Sequence, residues 1–244
     1  MTIDLPLHRF EEFGTLTDAE LDALNALGNA PRRYKRHAKI RTEDVVPTSF
    51  YLLLDGWVAA SHMVANGGRQ ILKVHLPGDA VGTPSMSTAR TVEELTALTD
   101  ATVVEVPFAR FGQIFEDHPR IAARFMLSIQ LERVALMDRL ASIGRTSAPA
   151  QLAAFLLDLM ERLEPLGLVE KDGFVMRLTQ EQIGDALGLT AVHINRTLRV
   201  IEDEGLIARV DRRVSLVDRP ALERLAERPK RVPMLDPAWL PPAR

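Results

Sequence analysis

The chain has 244 residues, 46% of them apolar and 26% charged, with a formal net charge of −3. That is apolar material for one large or two small folded domains, and too little charge bias for a disordered chain. The cysteine count of 0 excludes disulfides, thiolate-held clusters and cysteine nucleophiles, and the acidic balance excludes a global basic footprint for nucleic acid, since even residues 146–244 carry 14 Lys plus Arg against 15 Asp plus Glu.

In chain order, Met1 to Phe13 mixes Asp4, His8, Arg9 and Glu11 with isolated apolar residues, which is not a secretory leader. No apolar run is long enough for a bilayer, so the expected location is cytoplasmic, with no membrane partner. Residues 5–30 read as helical pieces, with Thr17 and Glu20 at capping-box spacing before Leu21, Leu24 and Leu27. From Arg33 to Pro107 the texture becomes short β runs closed by turn residues. The run 51-YLLL-54 ends at Asp55-Gly56, and 57-WVAASHMV-64 ends at the hairpin signal Asn66-Gly67-Gly68. The run 70-QILKVHL-76 predicts Leu72, Val74 and Leu76 on one face and Lys73 and His75 on the other, before Pro77-Gly78-Asp79. With 102-TVVEV-106, this spacing predicts an all-β barrel or roll.

Residues 108–144 read as helix, and Pro119 is placed to begin a long one. Met126, Ile129, Leu136, Leu140 and Ile143 fall on a heptad seam, interrupted by Arg133 at an a position. A second stripe, Leu127, Leu131, Val134 and Ala141, is also apolar. One helix with two apolar stripes can cover its own β domain and face a second copy, so the seam residues, Arg133 included, are the expected dimer interface. Gly144 to Pro149 reads as a hinge, 150-AQLAAFLLDLMERLE-164 as a helix, 174-FVMRL-178 as a short strand, and the five prolines from Pro229 to Pro242 as an extended tail.

The most informative segment is 179-TQEQIGDALGLTAVHINRTLRVIEDEGLI-207. Thr179 and Gln182 make a capping box, and Ile183, Ala186 and Leu187 share a face. Gly184 is small where a second helix crosses, and Gly188 suits a left-handed turn. Thr190 caps the next helix, in which Ile194, Leu198 and Ile201 point inward. Val192, His193, Asn195, Arg196 and Arg199 are left on or near the outer face. Two short helices around a glycine turn, the second cationic outside, predict a helix-turn-helix. Between Thr190 and Val200 there are two arginines and no acid, while 202-EDE-204 lies at the far end. Leu206 to Val210, a turn with Arg212 and Arg213, and 214-VSLV-217 read as a two-stranded wing whose arginines reach phosphate. The expected DNA-contacting set is Thr179, Gln180, Thr190, Ala191, Val192, His193, Asn195, Arg196, Arg199, Arg212 and Arg213.

On these residues the chain resembles the Crp/Fnr family of bacterial regulators over nearly its whole length. The phrases that carry the resemblance are 51-YLLLDGWV-58, 66-NGGRQILKVHLPGDAVG-82, 95-LTALTDATVVEV-106, the long helix, and 182-QIGDALGLTAVHINRTLRVIEDEGLI-207. The resemblance implies an α+β chain: an N-terminal β-roll of the cyclic-nucleotide-binding jelly-roll type, a long dimerisation helix and a C-terminal winged helix-turn-helix. The expected boundaries are 1–118, 119–144, 145–228 and a tail at 229–244. It also implies a homodimer with a recognition helix in each of two major grooves of a near-palindromic site, and RNA polymerase as a further partner. Arg196 matches the family arginine that pairs with guanine. Asn195 stands where it can reach adenine, and Val192 and Ala191 replace residues that are charged in many members.

In the sensor, the cyclic-AMP branch of the family uses a Gly-Glu pair and an Arg-Ser pair. Here Gly82-Thr83 and Thr91-Val92 stand at those places, so both charged groups are missing, and Glu93 and Glu94 follow. The expected pocket is Gly82, Thr83, Thr91 and Val92, with Arg133 as the cation that reaches inward or else pairs with an acid such as Glu132 of the partner helix. The expected effector is absent or is an unidentified small molecule other than cyclic AMP. His62 and His75 are axial-ligand candidates by residue type only, and are expected to be solvated or hydrogen-bonded. There is no phosphate loop, no G-x-S-x-G and no H-E-x-x-H, so no catalytic residue, metal or cofactor is expected.

Overall fold

A computed structural model describes residues 6–64 and 67–242. They fall into two units: Met1–His62, Lys73–Val134 and Arg231–Arg244 form one, and Met63–Leu72 and Ala135–Lys230 the other. The hairpin residue Asn66 lies outside the described residues, as do Met1–Leu5, Asp4 among them.

The β runs become strands β1 (Arg32–Tyr34), β2 (Lys39–Arg41), β3 (Ser49–Asp55), β4 (Val58–Met63), β5 (Arg69–His75), β6 (Ala80–Val81), β7 (Glu94–Ala97) and β8 (Ala101–Pro107). They form two four-stranded sheets, ordered β1-β8-β3-β6 and β2-β7-β4-β5. Successive residues of β3 point to opposite faces. Tyr51 and Leu53 join Ile40, Val58, Leu95 and Val103 inside the roll. Phe50 and Leu52 join Val104 and Val106 against four helices: α1 (His8–Glu11), α2 (Asp18–Ala26), α3 (Phe108–Asp117) and the start of α4 (Pro119–Arg145). Phe50, Phe111 and Phe125 pack edge-on or tilted with centroids 4.6 to 5.4 Å apart. Both faces of β3 are covered, which is why 51-YLLL-54 shows no alternation. The Thr17–Glu20 capping box opens α2 as expected.

One predicted alternation fails. Leu72 is 38% exposed, whereas His75 is buried beside Val74 and Leu76. The face of Lys73 and His75 is covered by charge: Lys73 pairs with Glu132 of α4, and His75 Nδ1 lies 3.4 Å from Asp79. His75 is therefore buried rather than solvated, with Asp79 as its polar neighbour, and burial lowers its pKa. His62 is hydrogen-bonded, as expected, with Glu43 at 2.9 Å.

In the second unit α5 (Ala148–Leu163) is the central helix, with nine buried side chains. The predicted hinge narrows to Thr146–Ser147, because α4 runs to Arg145 and Pro149 sits in the first turn of α5, where no amide donor is missed. Strand β9 (Gly173–Val175) is shorter than predicted, and pairs with β11 (Arg213–Leu216), which pairs with β10 (Ile207–Val210). The wing is thus three-stranded, not two-stranded. Helix α8 (Arg219–Ala226) matches no predicted element; Asp218 caps it and Pro220 lies in its first turn. From Pro229 the described residues of the tail form neither helix nor strand, as its prolines dictate.

Candidate nucleic-acid interface

The helix-turn-helix forms as its sequence directs. Thr179 accepts from the Gln182 amide at 3.1 Å and the Gln182 side chain accepts from the Thr179 amide at 2.9 Å, opening α6 (Gln180–Leu187). Gly188 ends it at φ +71°. A Cβ on Gly184 would stand 2.3 Å from the Leu189 carbonyl oxygen, so only glycine lets the turn fold back this closely. Thr190 then accepts from the His193 amide at 3.2 Å and caps α7 (Ala191–Asp203).

The inner face of α7 is Ile194, Thr197, Leu198 and Ile201, all buried. Thr197 avoids a polar penalty by donating to the His193 carbonyl at 2.9 Å. What remains outside is Val192, 81% exposed, with Arg196, Arg199 and Val200. Asn195 is half-buried and donates to Gln180 Oε1 at 3.0 Å, so α6 holds the side chain that α7 presents beside Arg196. Glu202, the first acid of the 202-EDE-204 run, is gripped by Arg209 at 2.6 Å, which holds its carboxyl below the usual range. The exposed cationic half of α7 is the half that sequence spacing assigns to the groove.

The two wing arginines diverge. Arg212 is exposed at the β10–β11 turn, with Nε 3.3 Å from the Met176 carbonyl. Arg213 is bound inward to the carbonyls of Glu170 and Gly173 and lies 3.8 Å from the Glu170 carboxylate. It fastens the 170–173 loop to the wing.

The roll interior holds a cation that the sequence reading passes over. Arg41 of β2, almost fully buried, donates to Ser85 Oγ at 3.0 Å and to the Gly82 carbonyl at 3.3 Å, and pairs with Glu93 at 3.3 Å. Burial dominates both partners: it lowers the Arg41 pKa and raises that of Glu93. Thr83 is buried nearby in sequence. The Thr91 hydroxyl donates to the Thr42 carbonyl at 2.8 Å and accepts from the Val45 amide at 3.1 Å, closing a loop. Val92 is 43% exposed, Arg133 is exposed on α4, and Arg90 turns outward to Asp44. Gly82 thus meets Arg41, whereas Arg133 lies exposed. An isolated arginine among β runs gives no sequence signal of burial.

A β-roll, a long helix and a winged helix-turn-helix with a cationic recognition face define a DNA-binding transcription regulator. Residues 31–118 match the family model of the cyclic nucleotide-binding domain, and residues 150–225 that of the Crp-like helix-turn-helix domain. The nitrogen fixation regulation protein FixK of Bradyrhizobium diazoefficiens is 31% identical over 212 residues, covering 87% of this chain and 88% of that protein. The fumarate and nitrate reduction regulatory protein of Yersinia pestis is 27% identical over 217 residues, 88% of this chain and 86% of that one. The structure of FixK2 from Bradyrhizobium japonicum shares the fold, with a TM-score of 0.71 at 24% identity over 80% of this chain and 96% of that one. The chain belongs to the Crp/Fnr family of bacterial transcription regulators.

Proposed function

We propose that this regulator binds a near-palindromic operator as a homodimer joined along α4, with one α7 in each of two adjacent major grooves. The observation that carries the reading is the division of α7. Ile194, Leu198 and Ile201 are spent on the core, and a face of Val192, Arg196, Arg199 and Val200 is left exposed. Arg196 reads guanine, Asn195 and His193 lie beside it, and Val192 and Ala191 contact thymine methyl groups. Thr179, Gln180, Thr190 and Arg212 lie at helix starts and a wing turn, where phosphate contacts set register. Arg213 acts through the wing it fastens. The dimer seam rests on Met126, Leu136, Leu140 and Ile143, which are 41 to 74% exposed on a single copy, with Ile129 and Arg133 between them.

The sensor is read as working without cyclic AMP. Arg41 and Glu93 already satisfy each other where the resemblance places the ligand's polar contacts, and Thr91 has spent its hydroxyl. The family acts on transcription, so RNA polymerase is the expected protein partner, the cytoplasm the expected compartment, and no enzymatic activity is assigned. Among the described residues no helix is long and apolar enough to cross a membrane. The test is to select an operator from random duplexes with the wild-type dimer and footprint it. Protection of two half-sites about one helical turn apart supports the reading. Protection of a single half-site, or no selected sequence, overturns it.

A further inference from the structure

The tail is docked. Its anchor begins with Arg124 of α4, whose side chain has no exposed surface. The guanidinium donates to the carbonyls of Phe10 at 3.3 Å, Gly14 at 2.7 Å and Thr15 at 2.8 Å. Three carbonyls drawn to one cation shape the α1–α2 connection, with Gly14 at φ +117°, a conformation that L side chains rarely adopt. In that shape the Phe13 carbonyl accepts from the backbone amide of Asp236 at 3.2 Å. The Asp236 carboxylate fills the space a Cβ on Gly14 would need, 2.1 Å from its position. The same carboxylate lies 3.6 Å from Arg120 and 4.0 Å from Arg124. Glu20 pairs with Arg120 at 3.0 Å, and the tail brings a further carboxylate to the two guanidiniums. Pro237 is buried behind Asp236, and Leu240 closes a turn onto the Pro237 carbonyl at 2.9 Å.

We propose that residues 231–242 are an intramolecular ligand of the sensor unit, held by the Phe13–Gly14 backbone and the Arg120–Arg124 pair at the root of α4. The occupant is an acidic, proline-fixed segment of this same chain. Because it follows α8, the chain returns from its DNA-binding unit to its sensor unit at the C-terminal segment. The strap makes the conformation of the α4 root depend on the C-terminus. Asp236 is 68% exposed, so its ion pairs contribute modestly. The backbone hydrogen bond, the fit against Gly14 and buried Pro237 supply the rest.

The experiment compares the full chain with a chain ending at Lys230, using a fluorescent synthetic peptide of residues 231–244 as the probe. Saturable binding to the shortened dimer, at least tenfold weaker binding to the full chain, and a two- to fivefold loss for an Asp236→Asn peptide are expected. Equal binding to both proteins, binding to neither, or equal binding of a scrambled peptide overturns the proposal. Should the shortened chain not fold, hydrogen exchange on the full chain decides. In the Pro237→Gly variant the amides of Gly14 and Thr15 should exchange faster while α6 and α7 stay unchanged. Unchanged exchange at Gly14 and Thr15 overturns it.

Discussion

Arg41 and Glu93 show how a residue-scale decision shapes the sensor. Two charges are taken out of water and returned to each other at 3.3 Å, with Ser85 and Gly82 accepting further hydrogen bonds from Arg41. Removing one partner strands the other, so Glu93→Gln should destabilise the chain by about 3–5 kcal/mol. The paired replacement Arg41→Met with Glu93→Leu should recover most of that loss, because neither charge is then left alone. Chemical denaturation of the single and double variants checks this; a double variant as weak as the sum of the singles would mean the two residues are independent. His75 makes the matching statement about pH. Its folded-state pKa is depressed by burial, so below the unfolded value of about 6.5 the unfolded chain binds a proton that the folded one refuses. The stability held by neutral His75 is complete above that pH and is lost as pH falls through it. Melting temperatures between pH 7 and 5.5 should fall less steeply in His75→Gln than in the parent, and parallel curves would remove His75 from the account. Sequence alternation set His75 opposite Val74, and nothing local announces that Glu132 of α4 meets Lys73 on that face.

At the scale of elements, α7 was legible almost residue by residue. Its cap, its inward stripe and its outer arginines all follow from spacing within a dozen residues, and capping and amphipathicity are local properties. Arg196→Ala should leave the melting temperature nearly unchanged and cost about 1–3 kcal/mol per half-site in operator affinity, read by titration at fixed salt. Wild-type affinity for a selected operator would remove Arg196 from base reading. The seam residues of α4 stay exposed on one copy, 74% at Leu140, which leaves them free to face a second copy. Leu136→Asp with Leu140→Asp should yield monomers in light scattering and weaken DNA binding. A dimer of unchanged mass would place the interface elsewhere. Helix α8 was not legible, and neither was the place of β9 in the wing. The strand itself was read at 174–178, but its pairing with β11 joins segments about forty residues apart and leaves no local signal.

For the whole molecule the central expectation concerns ligands. Calorimetric titration of the dimer with cyclic AMP should give no micromolar binding, because the interior cation is already paired and a buried phosphate would compete with Glu93 for Arg41. Micromolar binding that also tightens operator affinity would prove the roll open to the nucleotide. By itself the sequence determined the family, the order of roll, long helix and winged helix-turn-helix, and the recognition face. Those features rest on periodicity, caps and turns, which act between residues a few positions apart. Only the tertiary structure decided which charges go inside. Arg41 meets Glu93 across 52 positions, Lys73 meets Glu132 across 59, and Arg124 gathers carbonyls more than a hundred residues away. Burial of a charge depends on partners brought together by the fold, and a chain read in one dimension holds no record of that meeting.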